Sequence, residues 1–207
     1  MQSSSDINAL NRTLGRGEVV LLPTETVYGL AADAQNNAAV EALYTLKGRK
    51  FNKPIALCVK SSAAAKSLVH WSPTAQALSE HFWPGPLSLV LPAQDGLNLD
   101  ARLFGRFKDG TASLSLRFPQ TDWCHQIKTD YLALTSANRS GETDTTDFAE
   151  AHALFGDHVG ASFNGGTSPH GTPSTIIAVE KGRVRLLRAG ALTAEHFAPL
   201  NLDWIGS

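Results

Sequence analysis

Residues 19–30 have the sequence VVLLPTETVYGL, and this stretch decides how the chain is organised. Its first four residues form a short apolar run rich in Val and Leu, which predicts a buried β-strand. Pro23 ends that strand, because proline has no N–H to donate to a sheet ladder. A polar turn, Thr24-Glu25-Thr26, follows directly. Ligands of α/β sheets usually bind on loops beyond strand ends, so this is a candidate binding loop, although such residues also close ordinary turns.

Strands and helices are predicted to alternate along the rest of the chain. Helical spacing and cap signals predict a helix that Asp6 caps and Gly15 ends, followed by helices at 37–47, 61–68, 73–82, 122–129, 146–155 and 195–197. Further strands are predicted at 54–59, 87–91, 113–117, 132–135, 174–179 and 184–187. This order favours an α/β architecture with helices covering a largely buried sheet. No internal repeat or linker divides residues 1–207, so one domain is predicted.

The composition describes a globular protein with no general attraction to nucleic acid. The 207 residues are 43% hydrophobic and 18% charged, and the formal net charge is −1. No segment has the length of a membrane span, and residues 1–12 lack the basic start and apolar run of a signal peptide. Two cysteines, Cys58 and Cys124, do not make a disulfide framework. We therefore expect a cytoplasmic protein without a membrane contact.

A basic run follows one of the predicted helices. Lys47, Arg49, Lys50 and Lys53 place four cations within seven residues. One interpretation is a solvated loop whose cations interact with the negative end of the helix dipole. The other is a phosphate clamp, in which Lys47 supplies a compact charge and Arg49 a planar fork that fits phosphate oxygens.

Other polar residues stand at the ends of predicted strands. The tripeptide SAN at 136–138 follows one strand, Arg117 ends the segment SLSLR, and Arg188 ends the last strand. A glycine-rich loop leads into Ser174 and is either mobile or a wall of a pocket. Each feature alone is more typical of a cap, a turn or a solvated strand end than of a ligand site. Together they suit a site that binds anions.

Other catalytic chemistries find no support in the sequence. The seven histidines show no metal-ligand spacing, so no metal-ligating residue is predicted. The sequence contains no GxSxG elbow, no Walker-type GxxxxGK[ST] and no GxGxxG. Cys58 lies in a predicted strand and is interpreted as a core residue, and the adjacency of Cys124 and His125 does not make a dyad.

Seven stretches occur in the order found in one enzyme family. They are PTETVYGL at 23–30, LKGR at 46–49, WPGPLSLVL at 83–91, SLSLRFP at 113–119, TSANRSG at 135–141, NGGTSPHGTPSTI at 164–176 and LLRAG at 186–190. With these motifs the chain resembles the YrdC-type threonylcarbamoyl-AMP synthases in their short, single-domain bacterial form, from about Leu10 to Gly190. No single motif is specific, but their joint occurrence is.

The resemblance implies a YrdC/RibB-like twisted mixed β-sheet surrounded by helices, with a concave ligand pocket. It implies a nucleotidyltransferase that forms threonylcarbamoyl-AMP and pyrophosphate from L-threonine, bicarbonate or CO2 and ATP, with Mg2+ expected. The product would pass to a threonylcarbamoyl transferase complex that modifies tRNA. Carried over by position, the L-threonine contacts are Thr24, Arg117 and Ser174, and the ATP contacts are Lys47, Arg49, Ser113, Ser136, Asn138 and Arg188. Lys47 and Arg49 are the expected catalytic residues, because they would hold the triphosphate.

The sequence departs from the family pattern at four places. Ala31-Ala32 replaces a frequent glycine, Arg139 replaces a frequent leucine, residues 142–146 lack the usual prolines, and Cys58 stands where the long form often has histidine. The changes at Ala31-Ala32 and Cys58 are expected to affect packing only. Arg139 either adds charge to the nucleotide pocket or points to solvent.

Three alternative functions stay open at this point. A non-catalytic module for tRNA, structured RNA or ribosome precursors would use the basic run, although the near-neutral charge and the lack of interleaved aromatic and basic residues argue against it. A related carbamoyl-adenylate chemistry resembles that of hydrogenase-maturation proteins, which carry acylphosphatase and zinc-finger segments that this sequence does not contain. The third is a paralogue of the same fold with a different substrate.

Overall fold

The computed structural model describes residues 4–206, with side chains from residue 6 onward. Its helices are α1 (Ser4–Gly15), α2 (Asn37–Lys47), α3 (Ser62–Lys66), α4 (Pro73–Phe82), α5 (Phe148–Phe155) and α6 (Ala194–Phe197). Its strands are β1 (Val20–Leu22), β2 (Gly29–Asp33), β3 (Ala56–Cys58), β4 (Leu87–Pro92), β5 (Gly105–Arg106), β6 (Ala112–Arg117), β7 (Leu132–Ser136), β8 (Ala161–Ser162), β9 (Thr175–Glu180) and β10 (Arg183–Arg188). Short 3-10 helices lie at Ala101–Leu103, Asp122–His125, Gly156–His158 and Ala198–Leu200. Among residues 4–206, no helix combines the length and hydropathy needed to cross a bilayer.

The strands form one mixed sheet with the order β10-β9-β4-β6-β3-β7-β2-β1-β8, and β5 pairs with β6. The pairs β1/β8, β3/β6 and β4/β9 are parallel. The pairs β1/β2, β2/β7, β3/β7, β4/β6 and β9/β10 are antiparallel. The predicted α/β class with a mixed sheet is therefore confirmed. That residues 1–207 form a single domain stays a prediction.

One face of the sheet is covered by helices and carries the main core. The strand residues Leu57, Leu89 and Leu116 are fully buried on this face, together with Leu43 of α2 and Leu78 of α4. Successive side chains of a strand point to opposite faces. The residues directly before and after each of these leucines in its own strand therefore point to the other side of the sheet. The main core thereby fixes which side chains of β3, β4 and β6 can meet a ligand.

A smaller second core covers only one end of the opposite face. There Leu10 and Leu14 of α1 and Trp123 of the 3-10 helix pack against Val20 and Leu22 of β1. Helix α1 lies against β1, β2 and β8. The part of this face formed by β3, β6, β4 and β9 is left concave, and it is where a ligand can approach the sheet.

Strand β2 was not foreseen in the sequence, because its residues are weak strand formers. Gly29–Asp33 has the sequence GLAAD, and glycine, alanine and aspartate are depleted in strands. It forms because it is paired on both sides, with Leu30 opposite Leu21 in β1 and opposite Thr135 in β7. Ala31 and Ala32 are fully buried, so their departure from the family pattern is a matter of packing, as expected.

Several predicted boundaries are wrong. Asp6 lies inside α1 rather than capping it, since the helix already includes Ser4. Only Asp122–His125 of the helix predicted at 122–129 is helical, as a short 3-10 segment. The strand predicted at 54–59 is limited to Ala56–Cys58, because Pro54 cannot donate to the ladder. The helices at 37–47 and 73–82 are confirmed at the predicted bounds.

Candidate active site

A pocket lies on the concave face of the sheet, beside the second core. Its empty volume, including its open mouth, is about 750 Å³. Strand register explains its polar floor, because Arg117 of β6 is paired with Cys58 of β3 on one side and with Ser88 of β4 on the other. Paired residues share a face of the sheet, so these side chains all point into the pocket. The predicted site residues that line it are Thr24, Arg49, Arg117, Ser136, Ser174 and Arg188.

The polar turn at 24–26 holds its hydroxyl groups in a chain of hydrogen bonds. Thr24 Oγ1 donates to Val27 O at 2.7 Å, so Thr26 Oγ1 must donate to Thr24 Oγ1, at 2.8 Å. Arg117 Nη2 donates to Thr26 Oγ1 at 2.9 Å. The backbone N–H groups of Thr26 and Val27 also donate to Thr24 Oγ1, both at 3.2 Å. The Thr24 hydroxyl is therefore engaged within the turn, and a ligand contact by Thr24 would use other atoms of the residue.

Arg117 is the last donor in this series of hydrogen bonds and also forms a buried ion pair. Its Nη2 atom lies 2.8 Å from Glu25 Oε1, and Arg117 and Glu25 are only 8% and 6% exposed. The guanidinium is thus held by two neighbours of the same turn, Glu25 and Thr26. Arginine at this position can bind a carboxylate through the part of its fork that faces the pocket.

Lys47 lies directly behind the pocket wall, at the C-terminal end of α2. Its ammonium donates to Ser136 O and to Asn138 Oδ1, both at 2.5 Å, and to Ser136 Oγ at 3.2 Å. In addition, Ser140 N–H donates to Lys47 O at 3.1 Å. Main-chain and side-chain bonds therefore join the end of α2 to the loop that follows β7.

The surroundings of Lys47 disfavour its charged form. Burial has the largest effect, the positive charge of Arg49 adds to it, the charge of Asp144 opposes it, and that of Arg188 adds to it again. Together they lower the pKa of Lys47 from 10.5 to about 8. An anion beside this ammonium would favour the protonated form again. The position suits a bound phosphate.

Arg49 reaches the pocket from a tight turn after α2. Gly48 adopts a left-handed conformation with φ 61°, which glycine tolerates without strain. Arg49 Nε donates to Lys53 O at 2.8 Å and Nη2 donates to Pro54 O at 2.9 Å, so the loop at 48–54 folds around the guanidinium. Burial lowers the pKa of Arg49. The turn at Lys47 and Arg49 is therefore held in one arrangement by hydrogen bonds to the protein, and its role as a phosphate clamp stays a prediction.

Arg188 and Ser174 both line the pocket and are hydrogen-bonded to each other. Arg188 Nε and Nη2 donate to Ser174 O at 3.1 and 2.7 Å, and Nη2 also donates to Ser174 Oγ at 3.1 Å. Ser174 Oγ lies 2.9 Å from Ser88 Oγ. Burial lowers the pKa of Arg188, which makes a nearby anion favourable.

The glycine-rich loop before Ser174 is tied to the protein near its start and reaches the pocket at its end. The Tyr28 hydroxyl accepts from Gly165 N–H at 3.0 Å and donates to Gly166 O at 2.8 Å. Tyr28 itself is fully buried, so it ties this loop to the turn at 24–26 from beneath. Pro173 and Ser174 at the end of the loop line the pocket.

Three predicted site residues lie outside the pocket wall formed by residues 4–206: Lys47, Ser113 and Asn138. Lys47 and Asn138 stand behind Ser136, to which both are hydrogen-bonded. Ser113 lies on the pocket-facing side of β6 but near its start, paired with Gly105 of β5. Arg139 is exposed to solvent. The ligand contacts assigned to all nine site residues stay predictions.

Sequence reasoning missed several pocket residues, among them two serines and a cysteine. Ser88 and Ser115 line the pocket, and their signal is serine at pocket-facing positions of strands that are otherwise leucine-rich. Cys58 was interpreted as a core residue; it belongs to the second core and also lines the pocket. Its thiol lies 3.8 Å from that of Cys124, and both are free.

Comparison with known proteins places this fold and pocket in a family. The Sua5/YciO/YrdC model, described as "Telomere recombination", matches residues 12–190. A putative threonylcarbamoyl-AMP synthase of Mycobacterium tuberculosis is 33% identical over 204 residues, which cover 95% of this chain and 89% of the relative. The threonylcarbamoyl-AMP synthase of Bacillus subtilis is 33% identical over 199 residues, which cover 92% of this chain and 56% of that protein.

A solved structure supports the same assignment. Pyrococcus abyssi Sua5 complexed with L-threonine superposes with a TM-score of 0.86 at 28% sequence identity. The superposition covers 96% of this chain but only 58% of the Sua5 chain, less than two thirds of its length. Fold and pocket define an α/β protein with a cation-lined ligand site. The chain belongs to the Sua5/YciO/YrdC family.

Proposed function

We propose that this protein is a threonylcarbamoyl-AMP synthase, a nucleotidyltransferase that joins the AMP part of ATP to a carbamate of L-threonine. The observation that carries the proposal is the distribution of charge in and directly behind one pocket. Arg117 lines the pocket and offers a fork for a carboxylate, Arg49 and Arg188 line it as cations for a triphosphate, and Lys47 adds a third cation behind Ser136. Relatives that are 33% identical are named for this activity, and Pyrococcus abyssi Sua5 was solved with L-threonine.

The proposed reaction needs no nucleophile from the enzyme. The neutral amine of L-threonine adds to CO2 and loses a proton, which gives a carbamate. A carbamate oxygen then attacks the α-phosphorus of ATP, the bond to the β-phosphate oxygen breaks, and pyrophosphate leaves. Negative charge builds up on phosphate oxygens, so catalysis is mainly positioning and electrostatic stabilisation.

Each part of the pocket has a task in this scheme. Arg117 binds the threonine carboxylate, and Ser174 with the turn at Thr24 encloses the amino acid. Lys47 and Arg49 hold the triphosphate, and Arg188 stabilises charge near the α-phosphate. Ser113, Ser136 and Asn138 complete the nucleotide site, the last two by holding the Lys47 ammonium.

Mg2+ fits this scheme as an ion carried by the nucleotide. In the described part of the chain, no group of three or more His, Cys, Asp or Glu residues is placed to hold a metal. Mg2+ in nucleotide sites is commonly held by phosphate oxygens, water and one or two carboxylates. Asp144 is the carboxylate whose charge acts on both Lys47 and Arg188, so it is the residue suited to contact the ion. The ion would neutralise phosphate charge.

The product is a reactive mixed anhydride, which is expected to be passed to a transferase complex that modifies tRNA. The names of the relatives favour the synthase over a non-catalytic RNA-binding module. A direct contact of this chain with tRNA or structured RNA is part of the proposal and is untested.

Threonine-dependent pyrophosphate release tests the function directly. The purified protein is incubated with ATP, Mg2+, bicarbonate and single amino acids, and pyrophosphate is measured. We expect release with L-threonine and at least about tenfold less with L-valine or L-serine, since each lacks one group of the threonine side chain. Release that is independent of amino acid, or absent with all of them, contradicts the proposal.

ATP binding is expected to weaken as the pH rises above about 8, because the free protein then loses the Lys47 proton. Below that pH the ammonium is already charged, so Lys47 adds no pH dependence. Above it, a bound triphosphate must draw a proton onto Lys47, and affinity falls by up to about tenfold per pH unit. Calorimetric ATP titrations from about pH 7 to about pH 10, in buffers of different ionisation enthalpy, measure this proton uptake. In Lys47→Arg, which stays charged, the profile should be flat; equal slopes in both proteins contradict the assignment.

A further inference from the structure

Glu25 is a buried carboxylate that, in the described part of the chain, lies behind the pocket wall and is not one of its lining residues. It is 6% exposed, and its Oε1 atom lies 2.8 Å from Arg117 Nη2. Within the described part of the chain, neither carboxylate oxygen has a hydrogen bond of good geometry, and neither has Arg117 Nε. The pair is therefore held together mainly by charge.

Such a pair is a poor source of stability. Removing two charges from water costs several kcal/mol for each ion, and the attraction offsets this only when further hydrogen bonds satisfy the remaining atoms. Those bonds are missing at Glu25 and at Arg117 Nε. Buried ion pairs of this kind are better explained by what they hold in place than by the stability they add.

What Glu25 holds is the orientation of the Arg117 guanidinium. One terminal nitrogen, Nη2, is bound at two points, by Glu25 Oε1 at 2.8 Å and by Thr26 Oγ1 at 2.9 Å. These two contacts hold that end of the guanidinium against the turn at 24–26. The rest of the fork, on a residue that lines the pocket, is thereby aimed at a ligand.

The main chain of Glu25 has a second role in the same region. Its carbonyl oxygen accepts a hydrogen bond from His170 N–H at 3.0 Å. His170 belongs to the loop that ends at Ser174, which lines the pocket. Glu25 therefore contacts both Arg117 and the loop that ends at Ser174, and both Arg117 and Ser174 are proposed to contact the amino acid.

We infer that Glu25 is a positioning residue for amino-acid binding, which acts by holding Arg117 in the orientation that receives the substrate carboxylate. This inference rests on the proposed function. Glu25 does not touch the substrate, so its removal should change the threonine requirement rather than the chemical step. A purely structural residue would instead change the ATP and threonine requirements alike; the melting temperature does not separate the two roles, because removing either partner of a buried ion pair lowers stability.

The test compares Glu25→Gln with the wild type in the pyrophosphate assay. Glutamine keeps the size and can still accept a hydrogen bond, but it lacks the charge. We expect the threonine KM to rise about tenfold, because one charge-assisted contact of Arg117 is lost. The ATP KM and kcat should stay within about twofold of the wild-type values. Glu25→Asp, which keeps the charge on a shorter stem, should lie between the two. Glu180→Gln is the matched control. Glu180 also forms an ion pair with an arginine, with Oε2 3.1 Å from Arg185 Nη2, but this pair is not part of the pocket.

A double-mutant cycle shows whether Glu25 acts through Arg117. In an Arg117→Lys background the oriented fork is already lost, so adding Glu25→Gln should raise the threonine KM by less than about twofold. An equal further rise in that background would mean that Glu25 acts independently of Arg117 and would overturn the inference.

The remaining outcomes separate the inference from the function. If the wild type releases no pyrophosphate with threonine, both fall. If the wild type is active and the threonine KM of Glu25→Gln is unchanged, only the positioning role is wrong. If Glu25→Gln shifts both KM values together, the residue is structural and the inference is overturned.

Discussion

Lys47→Ala is expected to lower threonine-dependent pyrophosphate release about 10²–10³-fold, the usual cost of removing one cation that stabilises a transition state. The wild-type ammonium lies at the end of α2, where it donates to Ser136 O and Asn138 Oδ1 at 2.5 Å. These two acceptors hold the charge at the position where the proposed mechanism places phosphate oxygens. Alanine removes the charge and takes one donor from each acceptor, although Asn138 Oδ1 still accepts from the Ser136 hydroxyl at 2.8 Å. Steady-state kinetics at saturating ATP and threonine measures the loss in kcat.

Two companion variants separate catalysis from folding. Lys47→Met fills the space of the lysine stem without the charge, so it should lose as much activity as the alanine variant while its melting temperature stays closer to that of the wild type. Lys60→Ala is the matched control, because Lys60 also donates to a backbone carbonyl, Ile127 O at 2.6 Å, but has no part in the proposed nucleotide site. Wild-type rates in Lys47→Met would remove Lys47 from the mechanism.

The parts of the site that the sequence could predict are those with a local signal. The basic turn at Lys47 and Arg49 follows a helix whose spacing is regular, and Gly48 marks the turn itself. Arg117 and Arg188 each end a strand whose pattern is visible over six residues. In each case a few neighbouring residues determine both the element and the position of the side chain within it.

The rest of the site depends on pairings between distant segments. Nothing near Glu25 indicates that its carboxylate meets Arg117, because the contact exists only after β6 and the turn at 24–26 are brought to the same face of the sheet. The same holds for Lys47 and Asn138, which belong to α2 and to the loop after β7. Strand β2 was missed for the related reason that its pairing partners, not its own residues, make it a strand. Register over long separations in sequence is what local patterns do not contain.

Arg117→Ala is expected to lower kcat/KM for threonine at least about 10–100-fold, the effect of losing charged hydrogen bonds to a carboxylate, and to change the ATP KM far less. The reason is the position of Arg117, which is held by Thr26 and Glu25 rather than by the loop after α2 that carries Arg49. Initial rates are measured with threonine varied at saturating ATP and then with ATP varied at saturating threonine. An equal effect on both substrates would argue that Arg117 does not bind the carboxylate.

The alanine variant also leaves the Glu25 carboxylate buried without its cation, which is expected to cost about 3–5 kcal/mol of unfolding free energy. Arg117→Lys avoids this cost, because an ammonium keeps the charge beside Glu25 but cannot present a planar fork. It should unfold close to the wild-type denaturant midpoint and still show a raised threonine KM. Arg185→Lys is the matched control at an arginine paired with Glu180 on β9 and β10. If Arg117→Lys binds threonine as the wild type does, a positive charge alone suffices at this position, and the bidentate geometry assigned to Arg117 is wrong.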